Sequence, residues 1–102
     1  MALHIAQDAA YEGNDYWHWS VWLDGPDDEL DAVDHVVYTL HPSFPSPVQT
    51  IADRATRFRL ETAGWGTFTI YVRIIRKDGA PEEHLEHELE LFYPEDNAPA
   101  PA

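Results

Sequence analysis

Cysteine is absent, which excludes disulfides, thiol nucleophiles and any metal site built on thiolates. Cations are scarce: six Lys and Arg stand against 19 Asp and Glu, for a formal net charge of -13 with histidines neutral. A surface so poor in positive charge repels phosphate backbones and anionic lipid headgroups, so nucleic acid and membranes are not expected as partners. Nor does any apolar run approach the roughly 18 residues that cross a bilayer. The opening Met1-Ala2-Leu3-His4-Ile5 lacks a basic leader region, and the chain is expected in the cytoplasm. What is present is aromatic: four Trp, five Tyr and four Phe in 102 residues, with 44% of the chain apolar, which is enough for one packed core and too much for a disordered chain. That length accommodates a single domain.

The cations are also confined. Arg54, Arg57, Arg59, Arg73, Arg76 and Lys77 all lie in the central stretch, and two acidic runs flank them, Asp24 to Asp34 and Glu82 to Asp96. Such runs either face a cationic peptide or are solvated strand faces and loops, and charge alone does not choose between these.

Short alternating segments divided by turn residues, with no internal repeat, predict antiparallel β structure. From Tyr16 to Leu23 the odd positions Trp17, Trp19, Val21 and Leu23 are apolar, the period of two of a half-buried strand. Gly25-Pro26-Asp27-Asp28 predicts a turn. Further strands are expected over Val33 to Leu40, Thr56 to Thr62 and Thr67 to Arg76, followed by a turn at Lys77-Asp78-Gly79. The segment Pro81 to Tyr93 fits either a helix or a strand, and strand is favoured for Glu86 to Tyr93. With weaker candidates at Leu3 to Asp8 and Val48 to Ile51, about seven to eight antiparallel strands are expected, an all-β, immunoglobulin-like sandwich spanning residues 1–93. Residues 94–102, rich in Pro and Ala and with nothing suited to a core, are expected to be a tail or linker.

Two segments between strands are denser in functional groups than a sandwich needs: Leu40-His41-Pro42-Ser43-Phe44-Pro45 and Ala63-Gly64-Trp65-Gly66-Thr67-Phe68. Leu-His-x-Ser-Phe followed some twenty residues later by Gly-Trp-Gly-x-Phe resembles the YEATS domain, a family of acyl-lysine readers. The preceding Trp19-x-Val21-x-Leu23 and the later Glu90-Leu91-Phe92 extend the resemblance from about Tyr16 to Tyr93. The Ala- and Arg-leaning composition, with Lys77 the single lysine, is closer to the prokaryotic branch than to eukaryotic members, whose histone tails bacteria generally lack.

The resemblance implies a non-enzymatic binding module without a cofactor, one part of a larger protein, which takes an acetyl- or crotonyl-type lysine between two aromatic walls, Phe44 and Trp65. It assigns Ser43 to the acyl amide, the Trp65 backbone N–H to the acyl carbonyl, His41 to bracing the Ser43 loop, Phe68 to the floor and Glu90 to the rim. Gly64 and Gly66 would let the backbone approach the ligand. Thr67 stands where some members carry Gly, which leaves the acyl preference open. Residue chemistry agrees, because acylation removes the lysine charge and leaves a flat amide that stacks on rings and offers one donor and one acceptor. A basic acylated peptide would suit the acidic surface. The alternative is a scaffold or interaction domain of a bacterial signalling or defence protein in which the pocket is vestigial or repurposed. His41 and Ser43 could suggest a nucleophile and base, but no Gly-x-Ser-x-Gly elbow exists, and a metal at His84 and His87 is disfavoured because a strand points them to opposite faces.

Overall fold

A computed structural model describes residues 3–94 and 98–100. Strand β1 (His4–Gly13) turns back into β2 (Tyr16–Asp24) through Asn14 and Asp15, whose φ angles are 56° and 57°. Positive φ at both central residues matches a hairpin turn to the right-handed twist of its strands, and Asn and Asp tolerate it better than most side chains. Then come a short helix α1 (Asp27–Asp31) and the strands β3 (Val33–Thr39), β4 (Val48–Ile51), β5 (Leu60–Gly64), β6 (Thr69–Arg76) and β7 (Glu83–Glu88). They form two antiparallel sheets, ordered β1-β2-β5 and β4-β3-β6-β7. This is the expected immunoglobulin-like sandwich.

The alternation that marked β2 is its core face: Trp17, Trp19, Val21 and Leu23 are buried, and Val36, Tyr38, Ile70, Val72 and Ile74 meet them from the other sheet. The turn expected at residues 25–28 runs on into α1, which buries Leu30 and places Asp27, Asp28 and Glu29 where the helix dipole favours negative charge. The first acidic run is largely answered within the fold. Arg57 reaches Asp24 at 3.2 Å, and Arg54 reaches Asp27 at 3.3 Å and Asp31 at 2.9 Å.

Boundaries differ from the pattern reading at several points, β1 running to Gly13 rather than Asp8 and β5 to Gly64 rather than Thr62. Residues 56–59 are not strand: Arg54–Thr56 form a 3-10 turn with Asp53 accepting from the Ala55 N–H, and Arg57 and Phe58 take left-handed φ of 59° and 58°. The chain gives up alternation there to bury Phe58 completely, and the backbone stays paired, through Leu23 N–H to Arg57 O (2.9 Å) and Phe58 N–H to Asp53 O (2.9 Å). The strand expected from Thr67 begins at Thr69. The last strand runs over Glu83–Glu88 rather than 86–93, because its partner β6 begins at Thr69, opposite Glu88; Leu89 N–H to Phe68 O is the next bond along. Inward alternation nonetheless continues through buried Leu89 and Leu91.

The tail also departs from expectation. Residues 98–100 fold back on residues 91–93, with Tyr93 N–H to Ala98 O at 2.9 Å and Ala100 N–H to Leu91 O at 2.8 Å, and Ala100 joins the core. Once the chain has left β6, its backbone groups need other partners, and the tail supplies them. The rest of the expected tail, 95–97 and 101–102, lies outside the described residues.

Tyr38 is wholly buried and donates its hydroxyl to Phe58 O at 2.6 Å, so burial pushes its ionisation well above the ordinary phenol value. The unfolded chain ionises Tyr38 near pH 10 while the folded chain keeps the proton, so stability is full below about pH 10 and falls as pH rises beyond it. Tyr38→Phe is expected to flatten that alkaline slope, measured as urea unfolding midpoints between pH 8 and 11.

Candidate functional site

The chemically dense segments meet at one end of the sandwich. After β3, Leu40 is buried and its N–H donates to Pro47 O at 2.7 Å, which pinches residues 41–46 into a loop. Within the loop, Phe44 N–H donates to His41 O at 3.1 Å. His41 Nδ1 lies 2.9 Å from Ser43 Oγ and 3.2 Å from the Ser43 backbone nitrogen. Because that backbone N–H can only donate, Nδ1 must be an acceptor, with the ring proton on Nε2. The Ser43 hydroxyl then donates to Nδ1 and keeps its lone pairs for an incoming N–H. His41 thus braces Ser43 within the loop.

The second segment is not all loop. Ala63 and Gly64 close β5, and residues 65–68 lead into β6. Gly64 pairs with Trp17 on β2, and a Cβ on it would come within 3.7 Å of Phe44 Cζ and 3.8 Å of Trp19 Nε1. Beneath this point the rings form a stack of edges: Phe44 to Phe68 at 5.5 Å, Phe68 to Trp19 at 5.9 Å and Phe44 to Trp19 at 6.4 Å between centroids. Trp19 belongs to the core, Phe44 and Phe68 are half-buried against it, and Trp65 stands 62% exposed.

His41, Ser43, Phe44, Gly64, Trp65, Gly66, Thr67 and Phe68 all line one cleft of about 310 Å³, together with Pro45, Ala63 and Tyr16. Tyr16, 44% exposed at the start of β2, was not singled out from the sequence. Only the pairing of β2 with β5 brings it beside the Gly64 loop, and no local pattern carries that information.

Glu90 is the exception. It lines a second cleft, between the edge strands β1 and β7, where Gln7 Nε2 donates to Glu90 O at 2.7 Å and Glu90 N–H donates to Gln7 Oε1 at 3.0 Å. The alternation that buries Leu89 and Leu91 turns Glu90 outward against β1, away from the aromatic cleft. His87 shares this second cleft and donates Nε2–H to Gln7 Oε1 at 2.7 Å; burial holds its imidazole below the ordinary histidine range, against the pull of Glu90 and Glu88. His84 sits on the opposite, exposed face beside Glu82. Among the described residues no group of three or more His, Asp or Glu could hold a metal ion, and no helix is long and apolar enough to cross a membrane.

Among the described residues the cleft built by the end loops of this antiparallel sandwich is aromatic, with no lysine, arginine or carboxylate in its lining, and its chemistry suits a flat, uncharged group. The profile of the prokaryotic YEATS domain matches residues 17–90, and the chain belongs to the YEATS domain family. It is 34% identical over 76 residues to transcription initiation factor TFIID subunit 14 of Schizosaccharomyces pombe, covering 70% of this chain and 31% of that protein. It is likewise 34% identical over 77 residues to the AF-9 homolog of Saccharomyces cerevisiae, covering 72% of this chain and 33% of that one. The chain therefore spans about a third of the length of these curated relatives. Among solved structures, the yeast AF-9 homolog Yaf9 superposes with a TM-score of 0.75 at 22% identity, covering 96% of this chain and 76% of that one. The Yaf9 YEATS domain bound to H3K27ac superposes at 0.69 and 23% identity, covering 87% and 68%. Domains of this family are non-enzymatic modules, and this chain is one of them.

Proposed function

We propose that the domain reads an acylated lysine, with the acyl group held in the cleft between Phe44 and Trp65. The observation that carries this reading is the convergence of eight residues from two separate segments on one cleft, in which a braced Ser43 keeps its lone pairs for an amide N–H. The relatives add support: the Yaf9 YEATS domain is known in complex with H3K27ac and with an H3K122suc peptide. In this chain the flat amide would stack on the rings while Ser43 Oγ accepts its N–H. The free lysine would lose the flat amide that stacks on the rings and would bring a charge that is costly to desolvate in an apolar cleft. The larger protein that carries this domain would then be placed wherever acylated proteins occur, in the cytoplasm on our reading.

The deciding experiment is a titration of capped acetyl-, propionyl- and crotonyl-lysine followed by Trp fluorescence. Dissociation constants in the micromolar to millimolar range, about -8 to -4 kcal/mol, are expected, since one small group is buried in an open cleft. No spectral change with any acylated ligand at millimolar concentration would overturn the proposal. Ser43→Ala is expected to weaken binding about two- to twelvefold, corresponding to one net hydrogen bond of about 0.5–1.5 kcal/mol, while leaving the melting temperature unchanged.

Salt separates the pocket from the surface. The net charge of -13 should draw a basic acylated peptide by a long-range attraction that is lost as the Debye length falls from about 30 Å at 0.01 M to about 8 Å at 0.15 M. The capped acyl-lysine, bound by stacking and hydrogen bonds, should keep nearly the same constant at both salts. An equal salt response in the two ligands would remove the role of surface charge.

A further inference from the structure

The aromatic cleft is not closed on the side of Phe44. Phe44 and Pro45 also line a neighbouring groove of about 260 Å³, whose far walls are Gln49 of β4 and Leu60, Glu61 and Thr62 of β5. This groove runs between two sheet edges, since β4 and β5 are each the last strand of their sheet. Among the described residues β5 pairs with β2 alone, so its outer side presents the row of backbone donors and acceptors that an extended chain can join.

The groove also has a sign. Among the described residues Glu61 is the one carboxylate in its lining, and its side chain is 60% exposed. The nearest basic side chains stand at the limit of an ion pair: the Arg59 guanidinium at 3.9 Å and the His18 ring at 3.9 Å. Arg59 is engaged elsewhere, donating to Ser20 Oγ at 2.7 Å with its guanidinium 4.6 Å from the centre of the Trp22 ring. The Glu61 carboxylate is therefore incompletely neutralised and open to a further cation.

We propose that the residues on one side of the acylated lysine lie extended in this groove along the free edge of β5, and that Glu61 selects a basic residue among them. The inference rests on the acyl-lysine reading and adds to it the class of peptide. Continuity supports it, because a side chain seated beside Phe44 leaves its backbone next to the Phe44-Pro45 rim that both cavities share. Length supports it as well: a five-residue strand at about 3.3 Å per residue offers roughly 16 Å of edge, room for three or four flanking residues. An acidic flank would meet Glu61 with like charge.

The test compares three ligands on the same protein: capped acetyl-lysine, and acetyl-lysine peptides extended by three residues containing two arginines on the N-terminal or on the C-terminal side. One of the two peptides is expected to bind at least about fivefold more tightly than the capped ligand and to lose most of that gain in Glu61→Gln. Capped acetyl-lysine should bind wild type and variant alike. In amide NMR spectra the same peptide, and not the capped ligand, should shift residues 60–62 and 49. Capped binding with no gain from either peptide, or a gain that survives Glu61→Gln without shifts in β5, overturns the groove and leaves the pocket reading standing. Failure of capped acetyl-lysine to bind overturns both. A fourth ligand, the favoured peptide with aspartates in place of its arginines, is expected to bind more weakly, and binding as tight as that of the basic peptide would also overturn the role given to Glu61.

Discussion

Trp65→Ala is expected to reduce acyl-lysine binding by about thirtyfold or more while changing stability by no more than about 0.5 kcal/mol, as for a surface position. The separation follows from where the indole stands. At 62% exposure Trp65 has little burial to lose from the folded state, yet it lines the same cleft as Ser43 and Phe44. Binding would be followed by titration calorimetry and stability by urea unfolding. Fluorescence would be avoided for this variant, because the reporting indole is removed. A fall in stability comparable to that of a core substitution would make Trp65 part of the fold and take away one wall of the pocket.

Trp19→Ala is expected to do the reverse to the fold, costing about 3–5 kcal/mol as a large buried ring is replaced by a cavity. For a domain of this size each kcal/mol lowers the melting temperature by about 4–8 °C, so a drop of at least about 12 °C is expected. Trp19 is 1% exposed and packs its edge against both Phe44 and Phe68. Its loss therefore also unsettles the cleft floor, and binding should fall along with stability. Phe44, half-buried between core and cleft, should lie between the two tryptophans when replaced by Ala, losing both affinity and some stability. If the two Trp variants had the same melting temperature, the division between core ring and wall ring would be wrong.

Much of the candidate site could be read in advance because its residues cluster in two short segments, each with a dense and unusual composition. Leu40 to Pro45 and Ala63 to Phe68 carry ten of the eleven cleft residues, and short segments of this kind keep their identity whatever the surrounding register. Glu90 was a different matter. Its assignment depended on which way a side chain turns after the last strand, and that depends on where β6 begins and β7 loses its partner. Tyr16 was missed for a related reason, since its place in the cleft comes from the pairing of Trp17 with Gly64, neighbours in one sheet but far apart in the sequence.

The sequence by itself determined the class of fold and the chemical character of the cleft. Alternation at Trp17, Trp19, Val21 and Leu23 leaves one apolar face that must be buried, and burial of such a face is a local property of a strand. The lack of cysteine likewise put disulfides and thiol chemistry out of reach. Only the tertiary structure decided where alternation ends. Phe58 turns through left-handed backbone to reach the core, and the last strand stops where its neighbour stops. The return of residues 98–100 onto residues 91–93, and the open edge of β5 beside Glu61, were decided there too. Each of these depends on which backbone groups find a partner far along the chain, and hydrogen-bond satisfaction at that range leaves no periodic mark on the residues themselves.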